Sequence, residues 1–462
     1  MTAIGLDIGT TSLCAVAVDT QTGEVLRALT VPNDAALPPQ EPTERIQSPA
    51  RILTKATELV DALLDAFGPA ACIGVTGQMH GILYANAAGD AVSPLYTWQD
   101  GGGDAPAGEG RSFAQELSSL TGYPMATGFG GTTCYVHTRR GTVPSDAVVF
   151  CAIHDYVAMK LAGQTRPLCH LSNAASFGLF HLAEGTFDSE AVRRAGLDRN
   201  LFPDVTADFA VLGEYRGVPV CAAIGDNQAS FLGSVSDMEG SALVNIGTGS
   251  QISLALDSPV STEDMEARPL AAGQYLLVGS SLCGGRAFAQ LERLFRETAE
   301  LVTGQPCESA YRGMDRCLAA LTAPDDPLTV DTRFSGTRRE PAWRGAIMNI
   351  GTDNLTPVHL MLGVLTGIAD ELQALYQQAD AGRRGRVCRL IGSGNGLRYN
   401  PALCRIIAER FALPLLIPAH KEEAAFGAAL SALVGTGTVP SLWEAQRLIR
   451  CLPAEEICGR SR

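Results

Sequence analysis

The chain has 462 residues, 18% of them charged and 46% apolar. That balance excludes a fibrous repeat or long disordered tracts, and at about 100–200 residues per domain it predicts two or three domains with cores of their own. The formal charge is 35 − 49 = −14, which argues against nucleic acid as the partner, since gripping its backbone requires a basic surface.

The N-terminus, Met1-Thr2-Ala3-Ile4-Gly5-Leu6-Asp7, has no basic segment and an acid at its seventh position, so it does not read as a signal peptide. Ala3–Leu6 and the alternating Leu13–Val18 predict two strands around the turn Ile8-Gly9-Thr10-Thr11-Ser12. Residues 33–50 read as loop. The next apolar strand ends in Gly74-Val75-Thr76-Gly77-Gln78-Met79-His80-Gly81, where Gln78 and His80 are polar hands between glycine hinges. In Thr97-Trp98-Gln99-Asp100 an indole face lies beside amide and carboxylate groups. That combination suits a polyol, whose C–H faces stack and whose hydroxyls hydrogen-bond. Taken singly, His80 reads equally as a satisfied core histidine and Trp98 as core packing. The glycine-rich stretch 101–110 reads as a mobile loop.

Further along, the Val218–Ile224 strand leads into Gly225-Asp226-Asn227-Gln228-Ala229-Ser230. Asp226 there is either a carboxylate presented to a cleft or a helix N-cap. A second strand–turn–strand follows around Val244-Asn245-Ile246-Gly247-Thr248-Gly249-Ser250, and 257–269 reads as a loop or small insertion. The apolar run Val387–Ile391 predicts a strand before Gly392-Ser393-Gly394-Asn395-Gly396-Leu397. Leu397 stands where the dinucleotide fingerprint needs its third glycine, so that fingerprint is absent. Glu423-Ala424-Ala425-Phe426-Gly427-Ala428-Ala429 predicts a helix whose small residues permit close packing. The uncharged stretch Ala424–Trp443 is too rich in Gly, Ala, Ser and Thr, and carries Pro440, to read as a membrane span of about 20 strongly apolar residues. From about Ser441 the chain reads as helix packing back across the domains.

Three lysines occur, after Thr54, Met159 and His420, so no Gly-Lys pair exists and a Walker-type phosphate loop is excluded. The 13 cysteines are scattered from Cys14 to Cys458 without a C-x-x-C pair. They predict no zinc cluster and suit a reducing, cytoplasmic setting.

The informative pattern is a repeat. Leu6-Asp7-Ile8-Gly9-Thr10-Thr11-Ser12 returns as Val244-Asn245-Ile246-Gly247-Thr248-Gly249-Ser250, with four of the seven positions identical. Small-residue turns of this kind present backbone N–H groups and hydroxyls that form an anion site without a lysine. One such hairpin per half predicts a nucleotide in the cleft between halves. The arrangement resembles the actin-like ATPase superfamily of sugar kinases, heat-shock ATPases and actin.

Within that superfamily the chain resembles the FGGY family of carbohydrate kinases, and most closely its sedoheptulokinase branch. The resemblance is carried by residues 5–12, Gly77–Gly81, Thr97–Asp100, Ala126–Gly130, Ile153–Val157, Asn173–Ser176, Gly225–Ser230 and Gly392–Gly394. It implies an α/β fold of two ribonuclease-H-like domains with an interdomain cleft, divided as 1–216 and 217–462 near Arg216-Gly217. It implies ATP and Mg2+ as cofactors and phosphoryl transfer to a primary hydroxyl of a ketose, sedoheptulose first. Xylulose or another pentulose or polyol is the alternative acceptor.

Residue by residue, the resemblance implies Asp226 as catalytic base and Gln78, His80, Trp98, Asp100 and Asn227 around the sugar. Thr10, Thr11 and Ser12 fall in the first phosphate motif, with Asp7 acting on magnesium through water. Thr248 and Gly249 fall in the second, and Gly392 and Gly394 in the adenosine motif. Relatives often form dimers, so a homodimer is expected, with no nucleic acid or membrane as partner. One departure stands out: relatives usually place Arg after Trp-x-Asp-Gly, whereas Gly101-Gly102-Gly103 follows Asp100 here. Two rival readings stay open. A non-catalytic sugar sensor on the same scaffold could dispense with Asp226 or a hairpin, and a polymerising or chaperone-type ATPase would lack the Gln-Met-His-Gly and Trp-Gln-Asp runs.

Overall fold

A computed structural model of the chain describes residues 1–108, 110–319, 325–337, 340 and 342–457. The first sheet holds β1 (Thr2–Ile8), β2 (Ser12–Asp19), β3 (Val25–Pro32), β4 (Ile73–Gly77), β5 (Val211–Tyr215), β6 (Val218–Cys221) and β7 (Ile224–Gly225). The second holds β8 (Ser241–Ile246), β9 (Ser250–Leu256), β10 (Met265–Pro269), β11 (Tyr275–Ser281), β12 (Arg389–Ser393), β13 (Leu415–Pro418) and β14 (Cys451–Pro453). The helices that position the site are α1 (Pro49–Phe67), α2 (Asp226–Ser234), α3 (Gly285–Thr303), α4 (Pro357–Gln378) and α5 (Glu423–Gly435).

The first sheet runs β5-β6-β4-β1-β2-β3, with β7 also on β4; the second runs β10-β11-β9-β8-β12-β13-β14. Around its repeated hairpin each sheet has the same pattern. β1 is antiparallel to β2 and parallel to β4, just as β8 is antiparallel to β9 and parallel to β12. The repeat therefore extends beyond the hairpin. Asp7 pairs with Thr76 and Asn245 with Ser393, so Thr76-Gly77 and Ser393-Gly394 are equivalent corners.

Each sheet buries one face under its own helix. Ser48 caps α1 by accepting the Arg51 N–H, Pro49 supplies the first-turn φ, and Ile52, Ala56, Leu59, Val60 and Leu63 line the stripe laid on β1 and β2. In the second half α4 is similarly capped by Thr356 and begun by Pro357. It buries Met361, Val364, Leu365, Ile368 and Leu372 against Val244, Ile252 and Leu277. By length and hydropathy α4 could cross a membrane, yet half of its apolar stretch lies inside this core.

Two further helices join the halves by exchange. α2 leaves the last strand of the first sheet but packs Ala229, Phe231 and Leu232 with Leu243, Leu276 and Val278 of the second. Conversely α5, which follows the second sheet's β13, packs Ala425, Ala429, Leu430 and Leu433 with Ala3, Val16 and Val18 of the first. It is buried on every side, which explains its lack of a polar stripe. The predicted close packing is present. A Cβ on Gly427 would stand 1.9 Å from the Ala229 carbonyl oxygen, and one on Gly5 would stand 1.8 Å from that of Ala425.

Three boundaries differ from the sequence reading. Arg216-Gly217 is the tight turn of the β5–β6 hairpin, with φ of 51° and 79°; β6 and β7 still pair with β4, so the change of sheet falls between Gly225 and Ser241. Within 257–269 lies β10, an edge strand on β11. The stretch 101–110 contains a 3-10 turn, Gly102–Asp104, and a short ladder of Pro106–Gly108 with Arg111–Ser112. Gly103 answers to packing, because a Cβ there would meet Thr132 at 2.8 Å and Thr127 at 2.9 Å, whereas Gly108 and Gly110 have open space and positive φ. Beyond Ser441 the chain forms the helix Leu442–Gln446 and then β14 on the edge of the second sheet. Gln446 donates to the Val235 carbonyl at 2.7 Å and Leu448 closes over Gly23 of the first half.

Candidate active site

Register brings the predicted residues to one edge. Ile8, Gly77 and Gly225 form a row across three neighbouring parallel strands. The next residues are therefore the Gly9–Ser12 turn, Gln78 and Asp226, all leaving the carboxyl ends of their strands, where open α/β sheets bind ligands. Thr76 Oγ1 donates to the Ile224 carbonyl at 2.7 Å and locks the row.

The first hairpin is tied to the acceptor-side residues. Thr10 Oγ1 donates to Gln78 Oε1 at 3.2 Å and accepts the Trp98 indole N–H at 3.0 Å. Gln78 in turn donates to Gln47 at 2.9 Å, and Gln47 to the Thr10 carbonyl at 3.0 Å. With its N–H anchored, Trp98 still leaves 48% of its surface exposed, enough to offer a ring face. Thr11 is exposed at the tip and Ser12 begins β2. Asn33 steadies this turn by donating to the Gly9 carbonyl at 2.8 Å. His80, at φ 71°, stacks on Phe129 at 4.8 Å between ring centroids and donates from Nδ1 to the Ser176 carbonyl at 2.8 Å. Asn227 accepts from Arg268 at 3.3 Å.

The second hairpin is supported from below. Gly285 N–H donates to the Gly247 carbonyl at 2.9 Å and Arg286 N–H to that of Thr248 at 3.0 Å, so the start of α3 holds the turn. Thr248 is exposed and Gly249 half-buried. Gly394, at φ 83°, closes on the Ile246 carbonyl at the end of β12.

Two half-chain family models match: the N-terminal domain of the FGGY family of carbohydrate kinases over residues 2–233, and its C-terminal domain over residues 242–436. The chain belongs to the FGGY family of carbohydrate kinases. It is 29% identical to sedoheptulokinase of Mus musculus over 92% of this chain and 96% of that one, and to the Homo sapiens enzyme at the same identity and coverage. Among solved structures, a xylulose kinase from Lactobacillus acidophilus superposes with a TM-score of 0.81 at 19% identity, covering 98% of this chain and 92% of its own. One from Rhodospirillum rubrum gives 0.80 at 22%, covering 98% and 93%. Both show the two-domain kinase fold. FGGY kinases use ATP, typically with magnesium.

Electrostatics single out the strand ends of this FGGY kinase. Burial pushes Asp226 up to about 6, against the opposing pull of the Asn227 backbone N–H and the Arg268 guanidinium. Burial, with Asp226 and Glu422 as like charges, pushes Asp7 up to about 7. Asp7 thus feels two like charges, with Arg268 acting on Asp226, and this excess of negative charge fits a divalent ion brought in with the nucleotide. Among the described residues no cluster of three or more His, Cys, Asp or Glu side chains is arranged to enclose a metal.

Asp7 yields a prediction of sign. Its proton is held more tightly in the folded chain than in the unfolded one, so its contribution to stability falls as pH rises from about 4 to 7. Asp7→Asn should therefore stabilise the ligand-free protein at pH 8 by an amount on the order of 2 kcal/mol, seen as a higher thermal midpoint, and by less at pH 5. Melting curves at the two pH values check this; a lower midpoint at pH 8 would contradict it.

Two residues expected at the ligands have protein partners of their own. Asp100 is buried, and its carboxylate accepts the Arg45 N–H at 3.2 Å and the Gly102 N–H at 3.0 Å, so it ties its own loop to the segment at Arg45. Gly392 lies inside β12, where a Cβ would meet Leu397, Leu415 and Ile417; that glycine answers to packing, and Gly394 forms the corner. The residues that the sequence reading missed are Asn33, Gln47, Arg268 and Gly284–Arg286. The legible signal among them was Gly284-Gly285 ahead of an amphipathic helix.

Proposed function

We propose that the chain transfers the terminal phosphoryl group of ATP to a primary hydroxyl of a ketose, with sedoheptulose as the acceptor, in the cytoplasm. The observation that carries the reading is the row Ile8–Gly77–Gly225, which delivers the Gly9–Ser12 turn, Gln78 and Asp226 to one strand-end edge. Identity to two sedoheptulokinases along almost the whole chain supports the choice of sugar.

In this reading Trp98 stacks on the C–H face of the sugar, while Gln78, His80 and Asn227 hydrogen-bond its hydroxyls. Asp226 orients the reacting hydroxyl and takes its proton late. A carboxylate near 6 holds that proton better than an ordinary one near 4, and positioning supplies most of the rate. The turns carrying Thr10, Thr11 and Thr248, Gly249 offer N–H and hydroxyl donors to the phosphates, and the corner at Gly394 borders the adenosine. Magnesium, when bound with ATP, neutralises phosphate charge, and Asp7 would hold its water shell.

A coupled ATP-consumption assay over ketoses, aldoses and polyols tests the proposal. Sedoheptulose should give the highest kcat/KM. A higher value for xylulose or glycerol would move the acceptor assignment, and ATP binding with no sugar phosphorylated would overturn the kinase reading in favour of a sensor.

A further inference from the structure

His80 and Asp226 follow different strands, yet both are tied to one buried segment, the short helix Leu171–Ala174 and the turn Ala175–Phe177. Ser172, 1% exposed, accepts the Gly225 N–H at 3.1 Å through its hydroxyl, one residue ahead of Asp226. That hydroxyl is oriented by His170. Nδ1 of His170 accepts from Ser172 Oγ at 2.7 Å and from the Ser172 N–H at 3.2 Å, while its Nε2 faces the Ala207 carbonyl. Four residues on, Ser176 Oγ accepts the His80 N–H at 3.2 Å and the Ser176 carbonyl accepts from His80 Nδ1. These two bonds hold His80 in a left-handed conformation that a side chain of its size adopts only when its surroundings fix it.

Between the serines lies Asn173, fully buried. It donates to Asp155 Oδ2 at 2.6 Å and accepts from Ser176 Oγ at 3.4 Å. Asp155 is itself buried on the helix Ile153–Leu161. Hydrogen bonds so far from water are strong and hold their members in place, and here they run through Asp155 Oδ2, Asn173 and Ser176 while Asp155 Oδ1 is left without a hydrogen-bond partner.

We propose that Ser172 and Ser176 are positioning residues on one rigid anchor, set by the Asp155–Asn173 bond, which keeps Asp226 and His80 in fixed mutual placement. The inference rests on the reading above, in which His80 holds the sugar and Asp226 accepts its proton. Each serine hydroxyl bonds to one of the two site segments, Ser172 to Gly225 and Ser176 to His80, so the two effects separate. Ser176→Ala removes the hydroxyl that accepts the His80 N–H, leaving the bond from Nδ1 to the residue-176 carbonyl, and should raise the sugar KM about 5- to 10-fold with kcat within about twofold. Ser172→Ala loosens the backbone before Asp226 and should lower kcat by a similar factor, with the sugar KM within about twofold. Neither should move the KM for ATP.

The experiment is steady-state kinetics on these variants of the full chain, with Ser172→Cys and Ser176→Cys as near-isosteric versions expected to show the same split at smaller size. Asp155→Asn alone should impair both parameters, and adding Asn173→Asp, which restores the bond in reverse, should recover much of the loss. Proportional changes in kcat and KM for both serine variants, or none in either, would overturn the inference. His80→Ala and Asp226→Asn in the same series separate the two failures. If these two keep normal KM and kcat, the underlying reading falls; if they are crippled while the serines show no split, this inference alone falls.

Discussion

Asp226→Asn is expected to lower kcat by about 10²–10⁴-fold at saturating sugar and ATP, the range associated with loss of a positioned general base. The amide keeps the shape of the carboxylate and its place at the start of α2, so sugar binding should survive. The pH profile sharpens the test. Because burial pushes Asp226 up to about 6, wild-type kcat/KM should fall as pH drops below about 6, where the group takes up a proton and ceases to act as a base. An unperturbed aspartate would hold activity down to about 4. Residual activity of the variant should lack that acid limb. Near-normal turnover by Asp226→Asn, or a wild-type limb near 4, would contradict the assignment.

Gly427→Ala is expected to destabilise the protein by about 3 kcal/mol or more, at the top of the range for overpacked cores. The added Cβ would meet the Ala229 carbonyl oxygen at 1.9 Å and the Gly233 nitrogen at 2.8 Å, backbone atoms that cannot swing aside. Relief requires α5 and α2 to separate, and these helices join the two sheets. Since Asp226 opens α2, activity should fall with stability. Gly313→Ala, on a helix with open space around it, is the control and should be neutral or slightly stabilising. Thermal melts of both variants check the contrast; an unchanged midpoint for Gly427→Ala would show that the helix contact is looser than described.

The fold was legible where local chemistry repeats. Two hairpins sharing Ile-Gly-Thr-x-Ser announced two sheets of one kind, and the all-small face of 423–429 announced a helix pressed against backbone. What stayed hidden depends on contacts between distant segments. Arg216-Gly217 looked like a domain break because a hairpin turn and a linker use the same residues. The exchange of α2 and α5 between sheets has no local signature at all.

The site divides in the same way. Asp226, Gln78, His80 and Trp98 could be found because each stands beside a glycine, a strand end or another polar residue. Asp100 looked equally available, yet its carboxylate is taken up by two backbone N–H groups, that of Gly102 in its own loop and that of the distant Arg45. Ser172 and Ser176 gave the sequence no reason to assign them a role, since their partners lie across the fold at Gly225 and His80. Arg268 was unreadable for a related reason, sitting on a strand that the sequence presents as a loop.

The central claim is that two equivalent small-residue turns hold one triphosphate and direct its end toward an alcohol oriented by Asp226. A crystal structure with a non-hydrolysable ATP analogue, magnesium and sedoheptulose tests it most directly. The account predicts phosphate oxygens contacted by both the Gly9–Ser12 and Gly247–Gly249 turns, with a primary hydroxyl of the sugar within hydrogen-bond reach of Asp226. A nucleotide bound without contact to one of those turns, or a sugar whose primary hydroxyls all lie away from Asp226, would contradict it.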